Sequence, residues 1–193
     1  MTRLFISIPI SDEAKNIISE RIFNNSRYKH PSIKWVSEIN LHITLKFFGE
    51  IQENRIPDIK QIIERVSSLT DPFNLALYDS GTFPNVKSPR VIWLGIHTGN
   101  KIIYIHNELE KLCIEAGFPS EKKAFSPHLT LARISEYRSS IPQEGLQILL
   151  NEINKLEIPA FTAHQINLME SILNKNGAIY KLRFSKEVKS LLT

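Results

Sequence analysis

Two five-residue stretches, Leu41-His42-Ile43-Thr44-Leu45 and Pro127-His128-Leu129-Thr130-Leu131, repeat one pattern 86 residues apart. Each alternates as a strand does, and alternation puts residues i and i+2 on one face. His42 and Thr44 then share a face, with Ile43 and Leu45 behind them; His128 and Thr130 stand in the same relation to Leu129 and Leu131. Brought together, the two strands supply two acid/base groups and two hydroxyl donors over an apolar floor. Imidazole gives and takes protons near neutrality, so a pair can act as general acid and general base in a single displacement, each contributing about 10²–10⁴-fold. Threonine suits the adjoining position, because its stiff χ1 keeps the hydroxyl aimed at the anionic oxygens where charge is held during attack. A phosphodiester is the natural ligand of such a set.

A single His-x-Thr in a strand is commonplace, and Thr44 or Thr130 alone reads as a strand former. The repeat is what lifts both above that. Neither motif contains a carboxylate or a second histidine at ligand spacing, so no metal site is expected, and no other cofactor. There is no Gly-x-Gly-x-x-Gly and no Walker loop for a nucleotide. Arg133 reads either as a solvated strand-end charge or as a phosphate clamp. Strict alternation sets it on the face opposite His128, so a clamp needs a twist, a bulge or a turn just before it. Phe48 falls on the His42 face, in reach of a nucleobase, whereas Trp35, Trp93, Phe47 and Phe83 read as core or cleft wall. His30, His97, His106 and His164 have no repeat partner and read as background.

The elements that must carry these residues alternate between strand and helix. Residues 3–8 read as a strand closed by Pro9, and Ser11 as the N-cap of a helix with Asp12 and Glu13 in its first turn. Residues 33–36 form a short strand, and the first motif strand runs to Phe48, stopped by Gly49. Pro57 opens a second helix, broken by Asp71-Pro72. Residues 73–78 read as a strand, 79–89 as a loop, and 91–96 as a buried strand. A third helix follows Gly99-Asn100 and ends at Gly117. Pro142 begins a fourth, residues 161–169 and 178–184 alternate, and Asn174-Lys175-Asn176-Gly177 signals a hairpin.

About eight strands and four helices result. With one strand, one amphipathic helix and one motif strand in each half, they predict an α+β fold of two pseudo-symmetric lobes. Each lobe is a mostly antiparallel sheet backed by helices, and facing sheets bring the motifs together across a central groove. The 193 residues, 42% hydrophobic and 23% charged, are expected to form one bilobal domain. The net charge of +4 is compatible with a polyanionic ligand without arguing for one. One cysteine, Cys113, excludes an internal disulfide and suits a reducing compartment. The opening Met1-Thr2-Arg3-Leu4-Phe5 runs into strand pattern with no secretory h-region, and no apolar run reaches membrane-spanning length. A cytoplasmic monomer without membrane association is expected.

Lys34-Trp35-Val36 with the stretch from Leu41 through Gly49-Glu50, and Phe125-Ser126-Pro127-His128-Leu129-Thr130-Leu131-Ala132-Arg133, resemble the paired motifs of the two-histidine phosphoesterases. Within these, the bacterial and archaeal RNA 2',3'-cyclic phosphodiesterases, also called 2'-5' RNA ligases, are the most similar branch. Pro89 through Gly95, Met169 through Leu173, and Gly177-Ala178-Ile179-Tyr180 extend the resemblance over almost the whole chain. It implies metal-independent hydrolysis of a 2',3'-cyclic phosphate RNA end to a 2'-phosphate. It further implies that His42 is proton donor to the leaving 3'-oxygen, that His128 is proton acceptor from water, and that Thr44, Thr130 and Arg133 hold the phosphate. Three alternatives stay open: the reverse reaction, a 2'-5' RNA ligation; action on 2'-5' oligonucleotides or small cyclic nucleotides; and a non-catalytic RNA-binding module.

Overall fold

The computed structural model describes residues 1–135, 141–174 and 177–188. Nine strands pair in it: β1 (Thr2–Pro9), β2 (Ile33–Trp35), β3 (His42–Ile51), β4 (Phe73–Phe83), β5 (Val91–His97), β6 (His128–Ile134), β7 (Phe161–Ala163), β8 (Gln165–Asn174) and β9 (Gly177–Glu187). Four α-helices accompany them: α1 (Asp12–Ile18), α2 (Ile56–Ser68), α3 (Lys101–Glu115) and α4 (Gln143–Asn154). Among the described residues every pairing between these strands is antiparallel, in the order β7-β4-β5-β6-β3-β1-β8-β9, with β2 on β6. The α+β class is as expected. The two lobes, however, are not separate facing sheets. They are two groups of strands joined edge to edge where β3 meets β6 through one residue pair, Ile43 opposite Leu129. Nor are they halves of the sequence, since β8 and β9 return to pair beside β1, and β2 crosses to β6.

Local chemistry explains the helices. The Ser11 hydroxyl accepts the Ala14 N–H at 3.1 Å. Ala14 and Ile18, one turn apart on the same face of α1, are both fully buried, and the coil then widens through Ser19–Phe23. In α2 the stripe Ile56, Ile59, Ile62, Ile63 and Val66 is buried, as periodicity requires. α3 buries Ile102, Ile105, Leu109 and Leu112 and stops before Gly117 at φ +79°, a left-handed stop that glycine adopts readily. These stripes share a core with Ile43, Leu45, Leu129 and Leu131, so the reverse side of both motifs is apolar and filled.

Strand ends depart from the sequence expectations at irregularities. β3 continues through Gly49 to Ile51, and β4 continues to Phe83 across the expected loop. It does so through a bulge at Asp79, which sits at φ +61° between Tyr78 and Ser80. The strand expected over 161–169 is broken at His164 into β7 and the start of β8. β8 and β9 pair down to Asn174 opposite Gly177, with residues 175 and 176 of the expected hairpin outside the described residues.

Candidate active site

The seam pair and the sequence repeat have one centre: Ile43 and Leu129 occupy the same position in the two motifs and face each other across the strands. An approximate two-fold axis therefore passes between them. Counting outward from that single registered pair, antiparallel geometry sets His42 toward Thr130 and Thr44 toward His128, with the two histidines on the diagonal, where Cβ atoms typically lie somewhat under ~7–8 Å apart. That is the spacing of groups that can stand on either side of one phosphorus.

Both rings are fixed in the same way. His42 Nδ1 is 2.6 Å from the Asn40 carbonyl, and His128 Nδ1 is 2.7 Å from the Ser126 carbonyl, in each case two residues upstream. A carbonyl only accepts, so Nδ1 carries the hydrogen in both rings and Nε2 is left as the working atom. His42 Nε2 lies 3.1 Å from Thr44 Oγ1; in the neutral ring this nitrogen accepts the threonine hydroxyl. The anchors are themselves held. Asn40 Nδ2 donates to the Ala178 carbonyl of β9 at 2.9 Å, and Phe125, beside Ser126, stacks on His106 at 3.9 Å.

Burial sets the electrostatics. His42 packs against Phe5 at 4.7 Å and the edge of Tyr180 at 5.2 Å. Desolvation there pushes its pKa down to about 4, with the neighbouring His128 and Arg133 charges acting the same way and the Asn40 carbonyl opposing. His128, edge-on to Phe83 at 4.9 Å, is also lowered, first by burial and then by Arg133, against the pull of the Ser126 carbonyl. Both imidazoles are therefore neutral at pH 7, and negative charge placed between them favours protonation.

Two bulges decide what else faces the cleft. Between β1 and β3 the register steps from Ser7–Thr44 to Ile6–Lys46, leaving Leu45 extra. Between β5 and β6 it steps from Trp93–Thr130 to Ile92–Ala132, leaving Leu131 extra. A bulge reverses the side-chain phase beyond it. Leu45 and Lys46 are consecutively buried, as are Leu131 and Ala132, and the next residue of each strand, Phe47 and Arg133, turns to the cleft. A hollow of about 630 Å³ is lined by His42, Thr44, Phe47, Thr130 and Arg133, within the range usual for ligand sites. Arg133 thus reaches the cleft by the bulge that strict alternation could not foresee. Phe48 does not line it: a second register step leaves Phe48 extra, and its ring packs edge-on against Phe118 at 5.1 Å. Phe47 is an exposed cleft aromatic on the strand of His42, 43% exposed, with the Arg3 guanidinium 4.9 Å above its ring. Trp35 also lines the cleft.

Two residues behind the site are not singled out by the sequence, in which His106 reads as background. His106, 6% exposed, holds the Leu45 carbonyl at 2.9 Å through Nδ1, and so binds the bulge of one motif while its ring carries Phe125 ahead of the other. Lys46, 1% exposed, pairs with Glu110 and donates to the Pro119 carbonyl at 3.3 Å. Glu110 in turn accepts the Glu121 N–H, and Glu121 accepts the Phe47 N–H, each at 3.2 Å. A lysine amid a strand's apolar run is the one signal that could have drawn attention to this network. His97 stacks on Tyr78, and His30 and His164 bond to their own loops, as background residues do. Among the described residues no three His, Cys, Asp or Glu side chains gather to hold a metal ion, and no helix is long and apolar enough to cross a membrane.

Comparison with known proteins agrees with this architecture. Residues 16–174 match the 2'-5' RNA ligase superfamily. A protein of Aeropyrum pernix named RNA 2',3'-cyclic phosphodiesterase is 38% identical over 160 residues, covering 82% of this chain and 86% of that one. One of the same name from Aquifex aeolicus is 31% identical over 182 residues, covering 93% and 94%. Among solved structures, a Thermus thermophilus protein superposes with a TM-score of 0.80 at 23% identity, over 98% of this chain and all of that one. Escherichia coli LigT complexed with NADP+ gives 0.75 at 22%, over 98% of both. The chain belongs to the 2'-5' RNA ligase superfamily.

Proposed function

We propose that the chain is an RNA 2',3'-cyclic phosphodiesterase that opens a 2',3'-cyclic phosphate end to a 2'-phosphate. The observation that carries this reading is the pair of imidazoles about the Ile43–Leu129 axis, each with Nδ1 committed to a backbone carbonyl, which leaves Nε2 as the atom for proton transfer, in His42 beside the Thr44 hydroxyl. Neutral His128 takes a proton from water through Nε2 as the oxygen attacks phosphorus. The bond from phosphorus to O3' breaks, and protonated His42 delivers its Nε2 proton to that oxygen. Thr44, Thr130 and Arg133 hold the non-bridging oxygens as charge builds. Phe47 replaces Phe48 as the ring offered to the base. We assign the activity to a single 193-residue cytoplasmic unit.

His42→Ala and His128→Ala are each expected to lower kcat by about 10²–10⁴-fold while leaving the circular dichroism spectrum and cooperative unfolding intact. Full activity in excess chelator is expected; a strict requirement for a divalent ion overturns the scheme. Product position, read by phosphorus NMR, separates a 2'-phosphate from a 3'-phosphate. The reverse joining of a 2',3'-cyclic phosphate to a 5'-hydroxyl uses the same two groups, and water at bulk concentration favours hydrolysis.

A further inference from the structure

Arg133 shares the cleft with other cations. In the β2–β6 ladder Lys34 is the direct partner of Arg133, and directly opposed residues project to the same face, about 5 Å apart at Cβ. Both line the cleft, together with Arg3 near Phe47, and among the described residues the lining contains no aspartate or glutamate. Among the described residues none of these three cations has a carboxylate partner, although Lys15, Arg55, Lys155 and Arg183 all do. Lys34 is solvent-exposed but extends over the cleft rather than away from it. A Cβ built on Gly177, at the start of β9, falls 3.4 Å from its Nζ, so this lysine reaches across the cleft from β2 to the β8–β9 hairpin. One cation suffices for the single charge of a cyclic phosphate; a second, unpaired and adjacent, calls for a second anion.

We infer that Lys34 forms a second phosphate site, which takes the phosphodiester on the 5' side of the terminal ribose and makes the preferred ligand an oligonucleotide end rather than a mononucleotide. This rests on the reading of the cleft as a nucleotide site. In a nucleic acid bearing a 2',3'-cyclic phosphate, the next anion along the chain is that 5'-linked phosphodiester, one ribose away. A nucleoside 2',3'-cyclic phosphate lacks it. Strand separation in a sheet and phosphate separation along a single strand are of the same order, so Arg133 and Lys34 can engage successive phosphates.

The test compares adenosine 2'-monophosphate with the adenylyl dinucleotide ending in a 2'-phosphate, by direct binding to wild type, Lys34→Met and Lys34→Arg. Binding reads the site whether or not turnover occurs. Wild type is expected to favour the dinucleotide by at least ten-fold. K34M is expected to cut that preference at least five-fold and to reduce the salt dependence of dinucleotide binding by about one counterion; K34R retains both. Equal dinucleotide preference in wild type and K34M, or no preference in wild type, overturns the assignment. Parallel turnover of the cyclic mono- and dinucleotide is expected to repeat the pattern in KM. Absent turnover of both by wild type removes the catalytic reading and leaves the binding comparison to decide Lys34.

Discussion

At the scale of single residues, the two histidines differ less in what they are than in what surrounds them. Both commit Nδ1 to a backbone carbonyl, and both are kept neutral by burial, His42 most of all, its pKa pushed down to about 4. An acid that starts neutral and a base that starts neutral place the active ionisation state of the free enzyme, one ring protonated and one not, between two lowered pKa values. The kcat/KM profile is therefore expected to be bell-shaped, with its optimum on the acid side of the ordinary histidine value of about 6.5. A bound phosphate anion favours imidazolium, so the kcat optimum is expected at higher pH than that of kcat/KM. Initial rates at substrate concentrations well below and well above KM, across the range from acid to mildly alkaline pH, measure both; coincident optima contradict the assignment.

At the scale of elements, the strands show how far the sequence could be read. Alternation correctly put His42 with Thr44 and His128 with Thr130, because both pairs precede the irregularities. It failed one step later. Nothing in Leu45-Lys46 or Leu131-Ala132 announces a bulge: no glycine, no proline, no turn former. The phase beyond them consequently came out reversed, and that is why Phe48 was chosen over Phe47 and why alternation set Arg133 on the face away from the cleft. The same blindness hid β4 beyond Asp79. Helices were legible because their 3.6-residue stripes and caps are local, whereas strand partners from distant segments, such as β8 beside β1, leave no local trace. His106 holds one such bulge through the Leu45 carbonyl. His106→Leu is expected to lower kcat about ten-fold with little change in KM, and His106→Asn, which keeps a donor near the Nδ1 position, to restore most of it. A purely structural role would instead lower the unfolding midpoint in both variants and leave kcat below that midpoint unchanged.

At the scale of the whole molecule, the buried neutral histidines couple folding to pH. Their pKa values are lower folded than unfolded, so below about pH 6.5 the unfolded chain takes up protons that the folded chain refuses. Stability from this source is full above that pH and is lost progressively as pH falls toward about 4, where His42 protonates in the folded state. Thermal unfolding followed from neutral pH down to that value is expected to show a falling midpoint, and His42→Gln to flatten the fall. An unchanged slope in that variant assigns the loss to carboxylates instead.

The axis through Ile43 and Leu129 has a last consequence. Half a turn about it exchanges His42 with His128 and Thr44 with Thr130, so these four side chains alone cannot tell a substrate which way round to lie. Directionality has to come from whatever breaks that equivalence, and at the first cleft-facing position past each bulge it is broken: a benzyl ring at Phe47, a guanidinium at Arg133. In the proposed reaction, which oxygen departs and which arrives is expected to follow from that mismatched pair together with the different ring neighbours of the two histidines.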